Sequence, residues 1–110
     1  MSERTEKAFL CDMLEAAERA CSYCQAMSYE SFLDDERTQD AVIRNIEILG
    51  EAAKNISEDS RQKYDDILWK NIAGMRDKLI HDYFGVNLDI VWNVIQTDLP
   101  SLISQLKTIS

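Results

Sequence analysis

Residues 76 to 83 read R-D-K-L-I-H-D-Y and contain the only histidine of the 110-residue chain. Arg76, His81 and Tyr83 supply a fixed cation, a group that exchanges protons near neutral pH, and a phenol. A guanidinium binds two phosphoryl oxygens at once and stabilises charge that develops on them, while a histidine near its ordinary pKa moves protons. The chemistry this suits is cleavage of a phosphodiester. If the nucleophile is the 2′-hydroxyl of RNA, attack on the adjacent phosphate needs proton transfer and charge stabilisation and calls for no metal.

On a helix, Arg76 and Tyr83 lie seven residues apart, within about 20° of one another, and Asp77 and His81 lie four apart, within about 40°. Two stripes are expected, taken as adjacent. Arg76 and Tyr83 would converge on one anionic group, and Asp77 would hold the tautomer of His81 or raise its pKa. One histidine cannot readily act as both base and acid, so two copies across a two-fold axis would provide the missing partner. The plainer reading is that His81 is a satisfied residue near a helix end and that Arg76 and Asp77 belong to a solvated charge face.

The elements that must position these residues read as helices. With three Gly and one Pro the punctuation is sparse, which favours long helices joined by short connections. Phe9, Leu10, Met13, Ala16, Ala17, Ala20, Cys24 and Met27 recur at spacings of three and four, predicting a first helix over about residues 5–27. After the polar stretch SYESFLDDERTQ, with Phe32 and Leu33 embedded, Ala41, Val42, Ile46, Leu49, Ala53 and Ile56 mark a second amphipathic helix. Ser57, followed by Glu58 and Asp59, predicts the cap and first turn of a short helix through Tyr64. Asp65 or Asp66 is expected to cap the next helix, with Leu68, Trp69, Ile72, Met75, Leu79 and Ile80 on its buried side and Gly85 as its stop. Asn87 is expected to cap a last helix running through Leu88, Val91, Trp92, Ile95, Leu99, Leu102, Ile103 and Leu106, bent by Pro100. The expected fold is all-α, one domain over 1–110, an up-and-down bundle of four long helices plus one short helix.

Composition bounds the function. The 45% hydrophobic and 29% charged content is that of a soluble protein, and no apolar run approaches a membrane span. The opening MSERTEKAFLCDM lacks a secretory pattern, which predicts a cytoplasmic protein with reduced thiols. Cys21 and Cys24 form a lone C-x-x-C with no second pair, so core packing is favoured over zinc or redox chemistry. The net charge of −8 opposes nucleic-acid binding by the molecule as a whole. Any RNA site must therefore be local, and Lys54, Lys70 and Lys78 are the lysines best placed to form it. Arg44, Glu47 and Glu51 share a helix face and either frame the cleft or form surface ion pairs. Gly50, inside the second helix, marks a close helix crossing or a dimer contact. Tyr29 and Tyr64 read as packing residues.

The chain resembles the HepT-like branch of the HEPN superfamily through DERTQDAVIRNIEILGEAAK at 35–54, WKNIAGMRDKLIHDYFGV at 69–86 and VWNVIQTDLP at 91–100. The resemblance implies the toxin of a type VII-like toxin-antitoxin pair, a metal-independent RNA endonuclease that in some members cuts tRNA. It further implies Arg76 and His81 as catalytic residues, Asp77 as supporting, and Tyr83 as the acceptor of AMP from a minimal nucleotidyltransferase antitoxin. The expected assembly is a homodimer, with a larger complex formed with the antitoxin and no cofactor or metal. The rival reading is a non-catalytic module that binds a nucleotide or its partner through the same residues.

Overall fold

The computed structural model describes residues 5–81 and 87–109, with the backbone alone over 76–81. Its described residues form an all-α bundle with four long helices: α1 (Glu6–Tyr23), α3 (Glu36–Lys54), α5 (Trp69–His81) and α7 (Leu99–Ile109). Between them lie the short α2 (Tyr29–Leu33), α4 (Glu58–Lys63) and α6 (Leu88–Asn93), the last joined to α7 by a π-helical turn, Val94–Asp98. The expected bundle is present, and the short helices number more than the one expected.

Most helix starts follow local chemistry. The first N–H groups of a helix have no partner within it, and a side-chain oxygen one residue before it can accept from them. Thr5 accepts from Ala8 N at 3.2 Å, Ser28 from Ser31 N at 3.1 Å, Asp35 from Thr38 N at 3.1 Å and Ser57 from Ser60 N at 3.2 Å. Asn87 caps α6 as expected, accepting from Asp89 N and Ile90 N. Ser28 and Asp35 bracket α2, which the polar stretch conceals because five residues carry too little periodicity to register. Gln39 then donates to the carbonyls of Phe32 and Leu33 at 2.8 and 3.1 Å, fixing the end of α2 on the first turns of α3.

The core is built chiefly between α1 and α3. Met13, Ala16, Ala17 and Ala20 are all buried on α1, and Val42, Ile46, Leu49, Ala52 and Ala53 on α3. The small side chains let the two helices approach closely, so the larger Met13, Val42, Ile46 and Leu49 interlock between ridges. Gly50 is buried on the same stripe of α3, in keeping with a close crossing. Helix α1 ends at Tyr23, before the expected boundary, yet Cys24 beyond it is still buried. Phe32 closes one end of the core, its ring 5.2 Å from that of Trp92, which also meets Tyr29 at 5.8 Å.

Pro100 lacks the N–H that would bond to Gln96, and its ring crowds that carbonyl in a regular helix. The chain answers with the π turn, in which Leu99 N–H bonds to Val94 O, five residues back. The irregularity expected at Pro100 is thus spread over the preceding turn, where Cys21 also donates its Sγ–H to Ile95 O at 3.8 Å.

Candidate functional site

Helix α5 carries the octapeptide up to His81, and its anchoring differs from that of its neighbours. Neither Asp65 nor Asp66 caps it. The helix opens after Leu68, whose side chain has no acceptor and is 65% exposed, outside the buried stripe where it was expected. Burial of Trp69 fixes the start instead: its indole N–H donates to Tyr64 O at 3.0 Å, and its backbone N–H donates to Ile67 O at 3.0 Å. Gln105 of α7 donates to Asp66 O at 2.9 Å, tying the connection to the last helix. A buried aromatic with its one polar atom satisfied provides the anchor that a carboxylate cap would otherwise give.

From that anchor α5 runs along α3 with Trp69 and Ile72 buried and Met75 half-buried. On its register Arg76 stands seven residues after Trp69 and four after Ile72, within about 40° of either. His81 stands seven residues after Gly74, within about 20° of it, and Asp77 falls beside His81. Arg76 and His81 are therefore separated by about 140° around the helix axis. Arg76 and the pair Asp77 and His81, expected on adjacent stripes, thus start from different sides of the α5 backbone, Arg76 on the register of Trp69 and Ile72 and His81 opposite. The difference follows from the five-residue step, which is one helical turn plus most of a half-turn. Tyr83 and Gly85 lie outside the described residues, as do the side chains of Arg76, Asp77, Lys78, Leu79, Ile80 and His81.

Beside α5 the described structure opens a cleft of about 480 Å³ between α3, α5 and the α6–π segment. Ile46, Met75, Ile90, Val91 and Val94 provide its apolar walls, and Lys70, Asn71 and Asp98 bring polar groups to it. Gly74 lines the same cleft. Of the lysines singled out in the sequence, Lys70 lines this cleft, while Lys54 sits at the exposed end of α3. Asn71, Gly74 and Asp98 were not anticipated. Gly74 could have been found, since a glycine inside a helix interior is unfavourable and asks for a reason.

Arg44, Glu47 and Glu51 do not frame this cleft. They line a separate groove of about 390 Å³ with Phe9 and Asp12, between α1 and α3. Cys24 is buried and its thiol is pushed up to about 11, mainly by loss of hydration, with Cys21 and Asp35 adding to it. Cys21 is likewise raised by burial. Thiols so shifted stay protonated and unreactive at neutral pH, as a packing role requires. Among the described residues no three His, Cys, Asp or Glu side chains are grouped so as to hold a metal ion. Tyr29 packs on Trp92, and Tyr64 is half-buried with Lys63 Nζ 5.3 Å from its ring centroid. No helix among the described residues is long and apolar enough to cross a membrane.

Comparison with known proteins bears on the whole of this architecture. A protein of Methanocaldococcus jannaschii named "Putative RNase" is 41% identical over 99% of this chain and 90% of its own length. A "Probable ribonuclease HepT" of Thermococcus cleftensis is 45% identical over 91% of both chains. A "Putative RNase" of Caldanaerobacter subterraneus is 42% identical over 96% of this chain and 95% of its own. No solved structure matches. The family model described as "Ribonuclease HepT-like" spans residues 13–109, taking in α3, α5 and α7, the greater part of α1, the cleft and the octapeptide, and the chain belongs to that family.

Proposed function

We propose that this chain is a metal-independent RNA endonuclease, the toxin of a toxin-antitoxin pair, acting through a site shared between two copies. The observation that carries the reading is the sequence motif Arg76, His81, Tyr83, whose first two members stand on the helix that borders the apolar cleft, in a chain of this family. Arg76 holds the scissile phosphate and stabilises the charge of its transition state. His81, oriented by Asp77, takes the proton of the 2′-hydroxyl as its oxygen attacks phosphorus. The P–O5′ bond breaks, and the leaving oxygen takes a proton from His81 of the second copy, leaving a 2′,3′-cyclic phosphate and a 5′-hydroxyl.

The separation of Arg76 and His81 around α5 supports the two-copy site. Groups about 140° apart on one helix address different sides of it, which fits a site that a second copy completes. The net charge of −8 fits a local site, where binding depends on few cations. tRNA is the proposed substrate. The proposed antitoxin is a nucleotidyltransferase that moves AMP onto Tyr83, forming a phosphodiester at the phenol with release of pyrophosphate from ATP, and it assembles with the dimer in a larger complex. A bulky anion at Tyr83, two residues after His81 in the sequence, would exclude the RNA phosphate.

The test is incubation of unmodified protein with total tRNA in EDTA, beside His81→Ala and Arg76→Ala. The wild type should cut and leave cyclic phosphate ends, and each variant should lose at least about a hundredfold in rate. Intact RNA with the wild type, or equal cutting by the variants, overturns the reading. The acidic charge favours a second reading, a non-catalytic module that binds a nucleotide or the antitoxin; calorimetry with both would then show binding where no cutting occurs.

A further inference from the structure

Gly74 stands in the interior of α5, where glycine is the least favourable residue after proline. Nothing among the described residues calls for it: a Cβ at this position would meet no described heavy atom within 4 Å. The absent side chain leaves open the cleft over which α5, α3 and the π turn face one another. Gly50 differs, because it is buried where helices pack. At Gly74 the backbone is bared toward empty space, which makes sense when something from outside the chain lies against it.

The cleft has the make-up of a small-ligand site, with a volume of about 480 Å³, apolar walls and few polar groups. Its walls are aliphatic, from Ile46, Met75, Ile90, Val91 and Val94, and suit a flat ring that is apolar on both faces. The polar atoms are of two kinds. Asn71 and the Asp98 carboxylate offer acceptors and a donor for the edge of such a ring, and Lys70 offers a cation for an anionic group attached to it. Asp98 belongs to the π turn, a helix irregularity common beside functional sites. A nucleobase carrying an exocyclic amine, with its phosphate outside, combines all these features. Proteins that read RNA take single bases out of the stack in this manner.

We propose that this cleft is a subsite for one unstacked nucleobase, with Gly74 allowing the ring to lie against the α5 backbone, Asp98 and Asn71 meeting its edge, and Lys70 meeting the phosphate. The source of the base, an RNA substrate, rests on the ribonuclease reading above. The base seats beside the register on which His81 follows Gly74, so the subsite positions the chain next to the proposed cut and selects its sequence.

The test uses the full chain labelled with 15N and titrated with the four nucleoside monophosphates, and with ribose 5-phosphate as the baseless control. Amide shifts at Asn71, Gly74 and Val94 should saturate with AMP, GMP or CMP and not with ribose 5-phosphate. Gly74→Leu, whose side chain grows into open space, should weaken binding by about tenfold or more, whereas Gly74→Ala should stay within about threefold. Lys70→Ala, at an exposed position, should weaken the monophosphate and leave the nucleoside unchanged. Equal shifts with ribose 5-phosphate, or unaltered affinity in Gly74→Leu, overturn the proposal. Shifts at Gly74 that follow protein concentration alone, with Gly74→Leu reducing a dimer to monomers in sedimentation, also overturn it and make the cleft an interface between copies. RNA cutting assayed on the same samples separates the two ideas. Base binding without cutting sinks the ribonuclease reading alone, and cutting without base binding sinks this one alone.

Discussion

Helices α1 and α3 on one side, and α5 with the α6–π segment on the other, are built to different standards of packing. Between α1 and α3 the side chains from Met13 to Ala20 and from Val42 to Ala53 close the interface with small residues at the crossings. Between α5 and the π turn the walls stand apart, a glycine faces open space, and charged Lys70 and Asp98 line the gap. The first region gains stability from burying apolar area, which is insensitive to which ligand is present. The second gives up that gain to keep a concavity beside the residues of the octapeptide. Stability and chemistry are weighted toward different neighbours of α3, with Ile46 reaching both, so residues that touch only one region should perturb it with little effect on the other.

The widest separation between the two regions should come from Leu49→Ala and His81→Ala. Leu49 is 1% exposed, and its truncation should cost about 2–5 kcal/mol in urea unfolding without changing the rate per folded molecule. His81→Ala should do the converse, abolishing RNA cutting while moving the unfolding midpoint little. If both variants lose stability and activity together, the division is wrong.

A smaller effect, of opposite sign, is expected at Gly74. Alanine there has room and removes backbone freedom from the unfolded chain, so Gly74→Ala should stabilise by about 0.5–1 kcal/mol, read from thermal melting. The same substitution at Gly50, buried on α3, should destabilise, because an added methyl on a buried face asks for room that close packing does not leave. Equal responses at the two positions would erase the contrast between a crossing and an open cleft.

Thiol chemistry gives a finer comparison. Cys11 is exposed, whereas Cys24 is buried with its thiol pushed up to about 11. At pH 8, iodoacetamide should modify Cys11 at least about tenfold faster than Cys24, measured by peptide mass spectrometry. Comparable rates would show that the end of α1 opens readily.

The smallest effect concerns Glu6, which ties α1 to α4 by accepting from Ser60 Oγ and Ser57 N. Those bonds, the Ser60 hydroxyl first, hold its carboxyl below its ordinary value of 4.5. A depressed carboxylate contributes stability that is full above the unfolded value and is lost as pH falls through the folded one. Glu6→Gln should therefore flatten a small part of the acid limb below about pH 4.5 in pH-dependent melting, small because the group is largely solvated. An unchanged acid limb would remove Glu6 from the account.

Much of the scaffold was legible in the residues, and for a common reason. The 3.6-residue spacing of Met13, Ala17 and Ala20, or of Val42, Ile46 and Leu49, reports a buried face directly, and Ser57 and Asn87 carry their capping chemistry in their own side chains. Reading failed where local chemistry is weak or non-local. Helix α2 is too short for periodicity, and α5 begins where Trp69 meets Tyr64 rather than at Asp65 or Asp66. Leu68, apolar yet 65% exposed, shows that spacing misleads just outside a helix.

The chain alone determined the helical class, the long helices on which the core is built, the octapeptide and the family it signals, because periodicity, capping and motif spacing are properties of neighbours along the chain. Only the tertiary structure decided that Arg44, Glu47 and Glu51 line a groove with Phe9 and Asp12 of α1, and that Lys70, Gly74 and Asp98 share one cleft. Those facts depend on which helix packs on which and on the phase of each about its own axis, set by the volumes and burial of side chains far apart in sequence.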